Sequence, residues 1–155
     1  MNCDGIEFRE GTASAEDIRA HLERCDSDFS PNLSLKVHIE DYSRKIRDLA
    51  KTYEAWSGSA LVGLVAAYMN DPDTRIGFIT SVSVTREFVG RGIASALLQH
   101  CLNRSRQERM RALRLEVSLE SREAIRLYSK VGFSEIARKG ETVSMELELS
   151  EKQQS

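Results

Sequence analysis

The 155-residue sequence lacks a large excess of charge of either sign. Its 22 lysines and arginines are balanced by 24 aspartates and glutamates, which gives a formal net charge of −2. Proteins that bind nucleic acid or anionic membranes through their overall field are strongly basic, so neither partner is expected. The arginines from Arg104 to Arg114 are interpreted as the solvated end of a helix rather than as a nucleic-acid patch.

The sequence also lacks an apolar run long enough to cross a membrane. The longest strongly apolar run, Ala60 to Met69, is about half of the roughly 20 residues that a spanning helix requires. The first residues, M-N-C-D-G-I-E-F, do not show the charged-then-apolar pattern of a secretion signal. We therefore expect a cytoplasmic protein.

Cysteine is scarce. The three cysteines, Cys3, Cys25 and Cys101, are widely spaced, and no C-x-x-C pair occurs. This pattern argues against a disulfide framework and a structural zinc site, so reduced thiols and no bound metal are expected. Cys101 falls on an apolar helix stripe and is interpreted as a core residue.

The periodicity of apolar residues predicts one α+β domain over residues 1–150 and a disordered tail at 151–155. The predicted order, β-α-α-β-β-β-α-β-α-β-β, gives a mixed, mostly antiparallel sheet of about seven strands flanked by four helices. Three strands joined by short turns, at Tyr53–Trp56, Ala60–Met69 and Ile76–Val84, must be antiparallel. The strand at Leu113–Val117 follows a helix and should run parallel to the strand before that helix.

A buried strand, two glycines and an apolar-striped helix follow one another between Gly77 and Leu102. Gly90 and Gly92 lie at the junction, where the N-terminus of the helix offers unsatisfied N–H donors and a partial positive charge. Such an end suits a phosphate group.

Two common phosphate motifs do not fit this junction. No G-K-S or G-K-T follows the glycines, so a P-loop is absent. A dinucleotide fingerprint, G-x-G-x-x-G, would need a third glycine at position 95, where Ser95 stands. Glu116 does lie downstream, where that motif has the acidic residue that binds the ribose. The antiparallel strands before the glycines also disagree with a dinucleotide fold.

Two segments resemble the GNAT superfamily of acetyl-CoA-dependent N-acetyltransferases. They are V-S-V-T-R-E-F-V-G-R-G-I-A-S-A-L-L and L-E-V-S-L-E-S-R-E-A-I-R-L-Y-S-K-V-G-F, which occur in the family's order over a match from Ile6 to Leu149. The resemblance implies a GNAT-like fold, acetyl-CoA as co-substrate and direct sequential transfer of the acetyl group to an amine.

The family pattern Arg/Gln-x-x-Gly-x-Gly/Ala falls on Val89, Gly92 and Ala94, and Val89 departs from it. The resemblance implies that backbone amides of this turn hold the diphosphate, and that Val82 to Val84 pair with the pantetheine arm as an added strand would. The cofactor-binding set implied in this way is Val82, Ser83, Val84, Val89, Gly90, Arg91, Gly92, Ile93, Ala94, Ser95, Ser121 and Tyr128.

Within that set, two residues have an alternative interpretation. Arg91 adds a cation near the phosphates or is a solvated turn residue. Ser121 stands where the family often has an asparagine; it bonds the cofactor or acts as a plain N-cap.

Tyr128 is the predicted catalytic acid. Similar enzymes have a tyrosine at this place in L-Y-x-x-x-G-F, and a phenol with a pKa near 10 can protonate a departing thiolate. The alternative is an aromatic residue that packs in the core. The base is open, because His38, Asp41, Glu54 and Glu116 are candidates by residue type alone.

The acceptor is expected to be a small-molecule amine. A homodimer is compatible with the sequence. The alternatives are a protein lysine or N-terminus as acceptor, or a non-catalytic acyl-CoA-binding module. Phe29 and Leu33 are apolar residues in the polar loop from Asp26 to Ser34. They line the substrate mouth or cover the core.

Overall fold

One seven-stranded sheet organises the computed structural model, which describes residues 5–149. The strand order is β1-β2-β3-β4-β5-β7-β6, in which β4 and β5 are parallel and all other neighbours are antiparallel. The strands are β1 Glu7–Glu10, β2 Lys51–Ser57, β3 Ala60–Tyr68, β4 Ile76–Val84, β5 Ala112–Ser118, β6 Ser134–Lys139 and β7 Thr142–Glu148. The helices are α1 Ala15–Cys25, α2 Ile39–Leu49, α3 Ile93–Gln107 and α4 Arg122–Val131.

The order of elements agrees with the sequence prediction, and so do the antiparallel β2-β3-β4 meander and the parallel pairing of β4 with β5. The loop predicted from Asp26 to Ser34 contains short 3₁₀ turns at Asp26–Asp28 and Leu33–Leu35. Leu49 is apolar but 53% exposed, because it is the last residue of α2 before the chain turns into β2. The predicted tail at 151–155, like Cys3, lies outside the described residues.

Both faces of the sheet are covered by helices. On one face α1 and α2 bury Ile18, Leu22 and Ile46 against Leu64 and other residues of the sheet. On the other face α3 and α4 bury a larger cluster that includes Leu97, Leu98 and Tyr128. Residues 61–67 of β3 are therefore buried throughout, which explains why this strand shows a continuous apolar run rather than alternation.

Close packing fixes α3 above the centre of the sheet. Gly63 in β3 lies beneath the first turn of α3, and a Cβ added at Gly63 would lie 2.9 Å from Ile93 Cγ2 and 3.3 Å from Leu97 Cδ1. The absence of a side chain at Gly63 thus lets α3 approach β3 closely. No helix within residues 5–149 has both the length and the apolarity needed to cross a membrane.

Candidate active site

The two central parallel strands separate after a short stretch of pairing. β4 and β5 pair at Ile76 with Ala112, Gly77 with Leu113 and Phe78 with Arg114. Beyond these three pairs, residues 79–84 of β4 and 115–118 of β5 line opposite sides of one cavity of about 760 Å³. The cavity is thus the gap between the two strands, and it reaches both faces of the sheet.

A β-bulge in β4 accompanies this separation. Ala66 and Ala67 of β3 are opposite Ser81 and Ile79, so Thr80 is the extra residue. Tyr42 of α2 donates its hydroxyl proton to the Thr80 carbonyl at 2.6 Å, and the two hydroxyl oxygens are 2.7 Å apart. Burial raises the pKa of Tyr42 to about 12, so the phenol keeps its proton. α2 therefore supports β4 at the residue where its ladder is interrupted.

The edge of β4 that faces the gap carries backbone hydrogen-bonding groups. Thr85 N–H donates to Val62 O at 2.9 Å, so Thr85 points toward β3. Because successive residues of an antiparallel strand alternate in direction, the N–H and C=O groups of Val82 and Val84 point away from β3 toward the gap. An extended chain with amide groups could pair with this edge.

Tyr128 lines the cavity from the α4 side. It is 7% exposed, and burial raises its pKa to about 12, so the phenol is protonated at neutral pH. Its backbone carbonyl accepts the N–H groups of Gly132 at 3.0 Å and Phe133 at 2.9 Å, and the Phe133 ring packs edge-on at 6.0 Å. The spacing Y-x-x-x-G-F thus has a local cause, because Gly132, with φ of 130°, ends α4 and brings Phe133 back against Tyr128.

The glycine turn lies at the surface, outside the cavity lining. Gly90 and Gly92 have φ of 91° and 78°, and α3 starts directly after Gly92. This helix has neither a side-chain cap nor an acidic residue in its first turn, whereas α1 has Glu16 and Asp17 there. The partial positive charge of its N-terminus is therefore not neutralised by its own first turn.

Other residues of the predicted cofactor set are placed as follows. Val89 is 62% exposed, Ile93 is buried in the core, and Arg91 lies over the Phe88 ring at 4.8 Å. Ser121 precedes α4 and lines the cavity, and its side chain makes no capping hydrogen bond to that helix.

The loop between α1 and α2 covers the open end of the gap. Asp28 of the loop accepts a hydrogen bond from the guanidinium of Arg86, which follows β4. Ser30 Oγ of the loop donates at 2.9 Å to Oε1 of Glu120, which follows β5. The loop thus links the ends of the two separated strands. Phe29 lines the cavity between these links. Leu33 lines the cavity and is also buried in the α1–α2 core cluster, so it covers the core, and its place at a substrate mouth stays a prediction.

Three of the four candidate bases lie outside the cavity lining. His38 and Asp41 are exposed at the start of α2, with Nδ1 and Oδ2 3.1 Å apart. Glu54 is 0% exposed, and its carboxylate accepts hydrogen bonds from Thr12, Ala13, Thr52 and Trp56.

Glu54 is thereby excluded as a cleft base. Burial alone would raise its pKa, but the hydrogen bonds outweigh burial and lower it. Its role is to bind the segment before α1 to β2. Glu116 lines the cavity and is the remaining one of the four candidate bases. Within residues 5–149, no group of three or more His, Cys, Asp and Glu side chains could hold a metal ion.

The sequence interpretation missed His21. This histidine is 0% exposed on α1, with Nε2 2.9 Å from Ser83 Oγ and Nδ1 3.1 Å from Leu61 O. A signal was present, because His21 lies three residues after Ile18 and four before Cys25, on the stripe that α1 buries.

Comparison with known proteins identifies the family of the chain. The model of the acetyltransferase (GNAT) family matches residues 15–133, and the chain belongs to this family. No curated protein sequence matches the chain. The family and fold expected from the two sequence segments are thereby confirmed.

Solved structures share the fold at low sequence identity. PaiA N-acetyltransferase from Thermoplasma acidophilum in complex with coenzyme A is 17% identical, with a TM-score of 0.71 over 92% of this chain and 98% of that one. YncA from Salmonella typhimurium with its cofactor acetyl-CoA is 16% identical, with a TM-score of 0.74 over 95% of each chain. The ribosomal-protein-S18-alanine N-acetyltransferase from Escherichia coli is 14% identical, with a TM-score of 0.71 over 94% and 96%. These likenesses concern the fold.

Proposed function

We propose that this protein is an acetyl-CoA-dependent N-acetyltransferase that transfers an acetyl group directly to the primary amine of a small molecule. The observation that carries the proposal is the gap between β4 and β5, with outward-facing backbone groups of Val82 and Val84 on one side and the protonated Tyr128 lining the same cavity. Membership of the acetyltransferase family supports it.

The residues fit acetyl-CoA at three places. The uncapped N-terminus of α3 and the exposed turn from Val89 to Gly92 offer backbone donors to a diphosphate. The edge of β4 offers alternating N–H and C=O groups to the amides of a pantetheine arm. The Ser121 hydroxyl adds a hydrogen-bonding group where α4 begins.

Acetyl-CoA, when bound, would supply an acetyl group on a sulfur that departs as the amine attacks. Tyr128 then acts as the acid, because its phenol holds a proton at neutral pH and lines the cavity. The attacking amine must lose a proton. Glu116 or a chain of water molecules takes that proton in this proposal, since Glu116 lines the cavity and the three other candidates do not.

The α1–α2 loop, which crosses the gap on the side proposed for the acceptor, favours a small molecule. The α1–α2 loop crosses the gap through Asp28–Arg86 and Ser30–Glu120, and Phe29 lines the cavity beneath it. A flexible peptide would have to enter past these links, whereas a small amine would not have to thread a chain beneath the loop.

The test is thiol release from acetyl-CoA across a panel of acceptors. The panel contains amino sugars, amino acid derivatives, a lysine peptide and a peptide with a free N-terminus. Release with a small amine, at a kcat/KM above that of either peptide, supports the proposal. Release with peptides alone would overturn the small-molecule assignment, and acetyl-CoA binding without release for any amine would indicate a non-catalytic acyl-CoA-binding module.

A further inference from the structure

A buried histidine beneath the cavity has no part in the function proposed above. His21 is 0% exposed, and its ring contacts two groups of the sheet: the Leu61 carbonyl at 3.1 Å and the Ser83 hydroxyl at 2.9 Å. Cys25 Sγ makes a longer contact of 3.8 Å with the same ring nitrogen as Ser83.

These contacts determine the tautomer of His21. A carbonyl oxygen can only accept, so the Nδ1 that contacts Leu61 must carry the proton. In a neutral ring Nε2 then has a lone pair, and Ser83 donates its hydroxyl proton to it. Arg24 donates to the same Leu61 carbonyl at 2.8 Å. Burial, with the charge of Arg24, lowers the pKa of His21 to about 4, so the ring is neutral at ordinary pH.

Ser83 faces the cavity from the α1–α2 side of the sheet. Val82 and Val84, its neighbours in β4, pack against the core on the opposite side. Ser83 is half-buried and lines the cavity together with Cys25 and Phe29. Its proton is directed at His21, so the group that Ser83 presents to the cavity is a lone pair.

We propose that Ser83 Oγ accepts a hydrogen bond from an N–H of the acceptor amine, and that His21 is a positioning residue that holds the Ser83 proton and keeps this oxygen an acceptor. The proposal rests on the function proposed above. An acceptor at this place orients the amine and stabilises the positive charge that develops on nitrogen as it attacks. No proton passes to Ser83 in this role.

Steady-state kinetics and binding measurements on four variants test the proposal. Ser83→Ala should lower kcat/KM for the best amine of the panel about 10- to 100-fold, because one oriented hydrogen bond is lost. KM for the amine should rise and kcat should fall. The Kd for acetyl-CoA should stay within about twofold. His21→Leu should cause a similar loss, and His21→Gln should recover part of it because an amide keeps both a donor and an acceptor.

The double variant separates positioning from a structural role. If His21 acts through Ser83, the His21→Leu/Ser83→Ala enzyme should be no slower than the slower single variant. Losses that multiply would overturn the proposal, as would an unchanged kcat/KM in Ser83→Ala. The matched control is Ser43→Ala, which removes a buried serine that donates to Ile39 O at 2.8 Å on α2, outside the cavity lining. It should show wild-type kinetics.

A spectroscopic readout does not depend on activity. Nitrogen-15 NMR of the histidine side chains at neutral pH should show His21 as the neutral Nδ1–H tautomer, and the Nε2 resonance should shift in Ser83→Ala. The Nε2–H tautomer or a protonated ring would overturn the inference. Absence of thiol release by the wild type with every amine would overturn the proposed function and this role together, whereas an active wild type with an equally active Ser83→Ala would overturn this role alone.

Discussion

The Tyr42 hydroxyl donates to the Thr80 carbonyl at 2.6 Å, at the bulged residue of β4. The bulge and the parting of β4 from β5 occur next to each other, since the last β4–β5 pair is at Phe78. One phenol on α2 therefore holds the strand edge that lines the cavity. This contact joins residues 38 positions apart in the sequence.

Tyr42→Phe should lower the free energy of unfolding by about 1–3 kcal/mol, because the variant leaves the half-buried Thr80 carbonyl without this donor. Urea denaturation followed by circular dichroism measures the change. The matched control is Tyr53→Phe. Tyr53 is 1% exposed, and its hydroxyl has no hydrogen-bond partner among the described residues, so its removal should be neutral or stabilising. Equal losses in the two variants would contradict the role of the Tyr42 bond.

Gly132→Ala should destabilise the protein and weaken activity. Gly132 has φ of 130°, and an added Cβ would lie 2.9 Å from Leu147 Cδ1 in the core. The strained backbone costs about 1–3 kcal/mol of unfolding free energy, and the displaced turn also disturbs Tyr128, whose carbonyl accepts the Gly132 N–H.

Thermal unfolding measures the loss of stability in Gly132→Ala and in the control variant Gly140→Ala. Gly140 also has a positive φ, 59°, but no atom lies within 4 Å of an added Cβ. The Gly140 variant should lose about 1 kcal/mol and keep its activity. A larger loss at Gly140 than at Gly132 would show that contact with Leu147 contributes nothing.

The parts of the fold that were predictable from sequence are encoded locally. Turn glycines, short connections and alternation gave all eleven elements and their order. The Y-x-x-x-G-F motif was also local, because Gly132 and Phe133 bond the carbonyl of Tyr128 within one helix end.

Contacts between residues distant in sequence could not be predicted in this way. His21 and Ser83 are 62 positions apart, and Thr12 and Glu54 are 42 apart. Residue type alone made Glu54 a candidate base, but five hydrogen-bond donors converge on its carboxylate only after folding. Glu116 could not be assigned to the cavity because the separation of β4 from β5 has no local sequence signature.

Glu54→Gln should be strongly destabilising at neutral pH, by about 2–4 kcal/mol. Both carboxylate oxygens accept hydrogen bonds in the buried site, so an amide NH₂ would be directed at donors such as Thr12 N–H or Trp56 Nε1–H. Chemical denaturation at several pH values measures the loss.

The unfolding free energy lost in Glu54→Gln should depend on pH. The folded-state pKa of Glu54 lies below its ordinary value of 4.5, so the carboxylate stabilises the fold above that value and loses this contribution as pH falls through the folded-state pKa. The difference between wild type and Glu54→Gln should therefore narrow in acid. A difference that is constant with pH would contradict this account. Glu40→Gln, at an exposed ion pair with Arg44, is the control and should change stability little.

Val89→Arg should tighten acetyl-CoA binding, if the glycine turn holds the diphosphate as proposed. Val89 is 62% exposed, so the substitution leaves the core intact, and it adds a cation beside the α3 N-terminus. A charge-assisted contact there should lower Kd about 2- to 10-fold. Calorimetric titration with acetyl-CoA measures it. Val89→Glu is the opposite-charge control and should weaken acetyl-CoA binding. The changes in Kd in both variants should become smaller as the salt concentration rises. Equal affinities for the two variants would place the diphosphate elsewhere.

Tyr128→Phe should lower kcat about 100-fold while Kd for acetyl-CoA stays within about twofold, because only the proton donor is removed. The ring that packs against Phe133 is retained, so a role limited to packing predicts unchanged turnover. The control is Tyr68→Phe, at the end of β3 outside the cavity lining, which should keep the wild-type rate.

The pH profile gives a second measurement on the same residue. Burial raises the pKa of Tyr128 to about 12, so the phenol loses its proton, and the wild type loses its acid, only as pH rises toward that value. Between about pH 8 and 10 the wild-type rate should therefore stay level. An acid with the ordinary phenol pKa near 10 would instead make the rate fall in this range. A fall centred near 10 that is absent from Tyr128→Phe would mean that the phenol is solvated in the working enzyme. Full turnover in Tyr128→Phe would remove it from the chemistry altogether.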